Sequence, residues 1–194
     1  MFINFFLATA IVASQNLDIP KLLQKISYEK FQVEFKYDYH EEDESKHENG
    51  ILSFYKNQYR ISFPDREIIY NGKKMWNYDK NSNTVNVVND PEGNDNPLLL
   101  FTNYKNFFEP KDCVKEDDFY RLTMIPKNKK DDDIEIEYFE ILCDNESIQQ
   151  LKIFNKDGSW MNVRFYHWNT KINFPKNFFI FDAKKNNAKV VELD

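Results

Sequence analysis

Three histidines, two cysteines and 32 carboxylates are the side chains of this sequence best equipped for chemistry. His40 and His47 flank the run Glu41, Glu42, Asp43 and Glu44, which are the donor types of a metal site. Ligands must converge from positions held apart by a rigid frame, however, and these are nearly consecutive with no turn residue between them. Residues 40–49 therefore read as an acidic, solvated loop at a hairpin tip. Cys113 and Cys143 show no C-x-x-C spacing and no neighbouring His cluster, so neither zinc nor thioredoxin-like chemistry is indicated. If residues 119–125 and 134–142 pair as a hairpin, the two thiols fall near its open end. Export would then permit a disulfide, and the other reading is two half-buried free thiols. His167, between Tyr166 and Trp168 in a strand pattern, reads as a surface residue, and Glu135 and Glu137 read as solvated on one strand face. The chain has no G-x-S-x-G elbow, no H-E-x-x-H and only four glycines, Gly50, Gly72, Gly93 and Gly158, so no Gly-rich phosphate loop. Neither catalysis nor a metal or cofactor is expected. The net charge of −6 and the lack of any Lys/Arg run longer than two residues argue against nucleic acid as a partner.

What the sequence supplies instead is apolar surface made of large rings. Aromatic residues are 16% of the chain, 18 of them Phe, so relatively few side chains can fill a core or line a cavity. Positioning them falls mainly to strands. Glu67 to Asp79 reads as two short strands around Asn71-Gly72, a dipeptide suited to the positive φ of a tight hairpin turn. Trp76 and Tyr78 are two apart on the second strand, so both rings leave one face of the sheet. Residues 31–39 alternate strictly, with Phe31, Val33, Phe35, Tyr37 and Tyr39 on one side. Further strands are expected at 50–55, 59–63, 67–70, 74–78 and 84–88, then at 119–125, 134–142, 148–154, 161–168 and 178–181. Asn155-Lys156-Asp157-Gly158 marks a hairpin turn, and a slip of alternation after Tyr138 marks a bulge.

Two helices are expected. Residues 17–26 carry Asp18 as a cap and Pro20 in the first turn. Residues 97–108 follow Asn96 and place Leu98, Phe101, Tyr104, Phe107 and Phe108 on one side, widened by Leu99 and Leu100. A stripe that wide must be buried on more than one side or cover something apolar. Residues 1–13 are uncharged, apolar and too short to span a bilayer. With the small residues Ala10, Ala13 and Ser14 they resemble a secretory signal lacking its basic n-region, so residues 1–14 are read as a signal peptide and 15–194 as a single domain.

The Gly50-led strand pair, the Asn71-Gly72-Lys73-x-x-Trp76-x-Tyr78 unit, the apolar segment from Pro97, the 119–127 strand and the closing Phe179-Ile180-Phe181 resemble, in that order, the periplasmic outer-membrane lipoprotein carrier family (LolA type). The resemblance implies a mainly β fold: an incomplete antiparallel half-barrel, with short α-helices forming a lid over an apolar cavity. It implies a periplasmic chaperone that binds acyl chains of lipoproteins released from the inner membrane by an ABC transporter. Such a carrier, expected to be a monomer, delivers them to an outer-membrane acceptor, protein or lipid. The alternative is a lipid- or lipoprotein-sensing interaction domain of the same half-barrel fold. The implied cavity is lined by Leu52, Phe54, Tyr59, Ile61, Trp76, Tyr78, Leu98, Leu99, Phe101 and Phe107. Arg60, within the aromatic-Arg pair Tyr59-Arg60, and Lys56 are the implied lid latch. The Arg-Pro often found in such carriers after the Gly50 strand is absent here.

Overall fold

The computed structural model describes residues 29–42, 44–89, 107–127 and 135–193. The signal segment, the 17–26 helix and most of the 97–108 helix, with Leu98, Leu99 and Phe101, lie outside the described residues. The first strand, β1 (Lys30–Glu41), follows directly from its alternation: Phe31, Val33 and Phe35 are buried while Glu34 and Lys36, on either side of Phe35, are exposed. It hairpins into β2 (Glu44–Tyr55), followed by β3 (Gln58–Ser62), β4 (Arg66–Tyr70), β5 (Lys74–Asp79) and β6 (Thr84–Asn89). After the segment outside the description come β7 (Phe108–Glu116), β8 (Phe119–Pro126), β9 (Ile136–Cys143), β10 (Ile148–Asn155) and β11 (Trp160–Asn169). A four-residue helix α1 (Ala183–Asn186) and β12 (Lys189–Leu193) close the described chain.

The strands of the described residues join one open 12-stranded sheet in the order β12-β6-β5-β4-β3-β2-β1-β11-β10-β9-β8-β7. The chain is two meanders joined where β1 meets β11 antiparallel. β12 returns to the far edge and pairs parallel to β6, with Lys189 opposite Thr84. The expected mainly β architecture and unclosed sheet are present. Among the described residues helix is found at α1, in the C-terminal segment, and at Phe107, which precedes β7.

Several expectations are corrected. The acidic stretch does lie at the tip of a hairpin, but its described residues are mostly strand rather than loop, because β1 and β2 stay paired to Glu41 and Glu44, with His47 opposite Asp38. Cross-strand bonds hold it in the sheet: His47 Nδ1 lies 2.8 Å from Asp38 Oδ1 and His40 Nδ1 3.0 Å from Ser45 Oγ. Phe108, expected to end a helix, instead begins β7. Residues 178–181 are turns rather than a strand: Phe178 N donates to Pro175 O and Ile180 N to Asn177 O, with Asn177 at φ 69°. The expected bulge is present, since Phe154 and Asn155 face Tyr138 and Ile136, leaving one extra residue on β9. A second bulge lies in β11, where the register against β1 slips and His167 takes φ 54°. There Trp168 reaches Phe31, ring centroids 5.0 Å apart, and donates from Nε1 to Ile148 O at 2.9 Å.

Gly50 is needed for a close approach. A Cβ at this position would stand 2.5 Å from Phe35 Cζ and 3.1 Å from the Ser62 carbonyl oxygen. Gly50→Ala is therefore expected to push the Phe35 ring off its edge-on contact with Phe63 and to cost about 1–3 kcal/mol as overpacking. Urea unfolding of the variant measures it, and an unchanged midpoint would show that the Phe35 ring yields freely.

Candidate functional site

Opposed residues in an antiparallel ladder share a face, so the register sorts every side chain to one side of the sheet or the other. On one side, the core face, Val33, Leu52, Ile61 and Ile68 line up across β1 to β4. Beside them run Phe31, Phe54, Tyr59 and Tyr70. Phe31 stacks on Phe54 at 5.2 Å, and Tyr59 meets Tyr70 at 5.3 Å. Beyond β1 the rows resume as Val163, Leu151, Ile141 and Leu122, and as Met161, Ile153, Phe139 and Met124. Together these form one hydrophobic cluster reaching from β4 to β8, with Ile61, Ile68, Tyr70, Met161 and Val163 only partly buried. Large rings and branched chains on alternate positions suit a pleated, one-sided surface, which explains why the local sequence forms these strands.

The expected cavity set divides between two faces. Leu52, Phe54, Tyr59 and Ile61 share the core face, and Phe107 packs against the same cluster. Trp76 and Tyr78 do leave one face together, but it is the reverse one. Trp76 stands opposite Ile69 and Val87, and Ile69 stands opposite Arg60. There a separate cluster of Ile69, Trp76, Val85 and Val87 is covered by Phe181. The Tyr78 and Phe181 rings lie 4.6 Å apart. The correction is one of parity: Leu52 and Arg60 sit on opposite pleats, and Trp76 follows Arg60.

Arg60 holds the C-terminal segment on that reverse face. Its Nη1 donates to the Phe178 carbonyl at 3.2 Å, its Nη2 to Glu67 Oε2 at 2.6 Å, and its guanidinium lies 5.2 Å from the Phe178 ring centroid. Lys56 sits in the turn between β2 and β3 at φ 58°, its backbone N–H donating to Glu29 O and its ammonium 5.3 Å from the Tyr55 ring. The sequence reading did not identify Arg66. Its guanidinium stacks 4.0 Å from the Phe63 centroid and makes a two-pronged ion pair with Glu48 at the hairpin end of the core face. Burial, then the Glu48 charge, pushes up the Tyr37 phenol beside them.

Among the described residues no reactive constellation lies on the core face. Cys143 is buried, and desolvation pushes its thiol up to about 12, so it is neither thiolate nor nucleophile at neutral pH. Cys113 is opposite Leu122 and Cys143 opposite Tyr120, so β8 separates them. Two strand spacings, about 9–10 Å, exceed the Cα separation a disulfide can bridge. Both cysteines are free. What the described residues present on this face is a broad apolar surface able to hold hydrocarbon, with an ion pair at one end.

The described residues contain no helix long and apolar enough to cross a membrane. No curated protein matches the sequence. Among solved structures, an uncharacterized conserved protein from Thermus thermophilus superposes with a TM-score of 0.56 at 10% identity, covering 90% of this chain and 96% of that one. A putative outer membrane lipoprotein-sorting protein domain from Vibrio parahaemolyticus gives 0.49 at 9% identity, over 84% of this chain and 94% of that one. A LolA superfamily protein from Nitrosomonas europaea gives 0.48 at 9%, over 84% and 95%. The sequence itself matches the family described as outer membrane lipoprotein carrier protein LolA over residues 27–182, most of its length. With a one-sided apolar sheet and a match of that extent, this chain belongs to the LolA outer membrane lipoprotein carrier family.

Proposed function

We propose that the protein is a periplasmic carrier that takes up acyl chains of lipoproteins on the core face and releases them at the outer membrane. The observation that carries this reading is the continuous apolar face from Ile68 to Leu122 in a chain of the carrier family. Each methylene moved out of water contributes about 0.8 kcal/mol, so a chain of about 15 methylenes is worth on the order of 10 kcal/mol. A lipoprotein therefore needs an apolar host to leave one membrane and cross water to another. The half-buried Ile61, Ile68, Val163 and Met161 supply area that can still be desolvated by cargo. Leu52, Phe54 and Tyr59 form the floor beneath it. Leu98, Leu99, Phe101 and Phe107 belong to the same reading as apolar cover from the segment after β6. The partners are a lipoprotein-releasing ABC transporter in the inner membrane and an outer-membrane acceptor, protein or lipid. The domain acting as a monomer comprises residues 15–194, after removal of residues 1–14.

Mass spectrometry of the purified mature protein, with and without a co-expressed lipoprotein, tests the proposal. Native spectra are expected to show a one-to-one complex that requires the acylated form of the lipoprotein, and intact mass is expected to place the N-terminus near Gln15. A complex of equal abundance with the non-acylated form would reject acyl recognition.

A further inference from the structure

On the reverse face, beside the Arg60 contact, the C-terminal segment borders a half-open cavity of about 440 Å³, separate from the core face. Its floor is Lys30, Tyr55 and Gln58, aligned across β1, β2 and β3. Its wall is the turn segment from Asn173 to Ile180. The size falls within the range of small-molecule sites, about 300–1,000 Å³. The wall is preformed. Phe174 stacks on Phe178 at 4.8 Å, and Phe179 meets both edge-on at 5.0 and 5.1 Å. The Arg60 guanidinium fastens the Phe178 carbonyl to the sheet.

The lining is chemically two-sided. Lys30 and Lys176 bring ammonium groups, and no acidic side chain lines the cavity among the described residues, although the chain as a whole carries a net charge of −6. Lys30 Nζ is oriented by a 3.0 Å bond to Asn173 Oδ1. Tyr55, Phe174, Phe178 and Ile180 bring apolar surface next to those cations. An anion alone would leave the rings unused, and a neutral hydrocarbon would leave the ammonium charges uncompensated.

We propose that this cavity binds an amphiphilic anion, its phosphate or carboxylate head at Lys30 and Lys176 and its apolar body against Tyr55, Phe174 and Phe178. The site is distinct from the acyl-binding face and does not depend on it. Such a ligand is present at any membrane surface as an anionic lipid headgroup, or as a free fatty carboxylate.

Calorimetric titration of the full chain tests the assignment, using octyl phosphate, octanoate, octyltrimethylammonium and inorganic phosphate. The titrations are run in an Ile61→Glu background, so that uptake on the core face does not obscure the second site. Octyl phosphate or octanoate is expected to bind with one-to-one stoichiometry and to lose at least tenfold in affinity in Lys30→Glu/Lys176→Glu. Lys176→Glu alone, which leaves the Lys30–Asn173 bond in place, is expected to lose part of that affinity without unfolding the segment. Preference for octyl phosphate identifies a phosphate headgroup as the ligand, and preference for octanoate a fatty carboxylate. Equal affinity in the lysine variants, equally tight binding of octyltrimethylammonium, or inorganic phosphate binding as tightly as octyl phosphate would each overturn the proposal. If wild type and Ile61→Glu take up octyl chains alike while the lysine variants lose a site, the core-face reading fails and this one stands.

Discussion

Ile61→Glu is expected to fold and to lose acyl-chain uptake by at least about tenfold. Ile61 lies on the core face between Leu52 and Ile68, yet it is only partly buried. A carboxylate there retains access to water in the free protein, so the sheet persists. Covering it with hydrocarbon removes that water without providing a partner, a cost of roughly 2–7 kcal/mol for a polar group and more for a charge. Nearly all of that cost falls on the loaded state. Far-UV circular dichroism checks the fold, displacement of a fluorescent fatty acyl probe measures uptake, and release of lipoprotein from spheroplasts measures transfer. Uptake at the wild-type level by a folded variant would move the cargo off this face. Leu52→Glu is a poorer test, because Leu52 is only 2% exposed and its loss would act through the fold.

The second large effect is on stability. Trp76→Ala is expected to cost about 3–5 kcal/mol and to release the C-terminal segment, with acyl uptake by the folded fraction unchanged. Trp76 is 9% exposed in the cluster with Ile69, Val85 and Val87 that Phe181 covers. Removing the indole leaves a cavity beneath Phe181, and the strap that continues into α1 and β12 loses its main apolar anchor. Limited proteolysis after residue 170, together with urea unfolding, reads the result. Had Trp76 faced the cargo, the same substitution would reduce uptake with little loss of stability, so the two measurements separate the faces. A Trp76→Ala protein with wild-type stability and impaired uptake would contradict the register across β3, β4 and β5.

Much of the strand content was legible in the sequence because a strand's face is a local property. Phe31, Val33 and Phe35 alternate with Gln32 and Glu34, and that period of two suffices for β1. Asn71-Gly72 and Asp157-Gly158 mark the turns, and Gly72 and Gly158 do adopt φ of 93° and 88°. The side of the sheet on which a local face ends up is different, because it depends on parity carried through every intervening turn. One residue more or fewer in a loop moves a whole strand's side chains across. Trp76 and Tyr78 were therefore correctly paired with each other but assigned to the wrong partners in the sheet.

Edge strands were hidden for another reason. β7 buries only Phe108 and exposes Glu109, Pro110, Lys111, Asp112, Lys115 and Glu116, because an edge needs charges and proline more than it needs alternation. Phe178 to Phe181 read as a strand, since a run of rings and isoleucine has the composition of one. Contacts distant in sequence make it a wall instead: Arg60 binds the Phe178 carbonyl across 118 residues, and Phe181 is drawn onto Tyr78 and Trp76. The β character of the chain, its hairpin turns and its supply of apolar surface could be read from residue order, because each depends on neighbours within a few residues. Which rings share a face and which close the reverse side emerged from the folded sheet alone, because register and strand order are set by pairings between residues far apart in the chain.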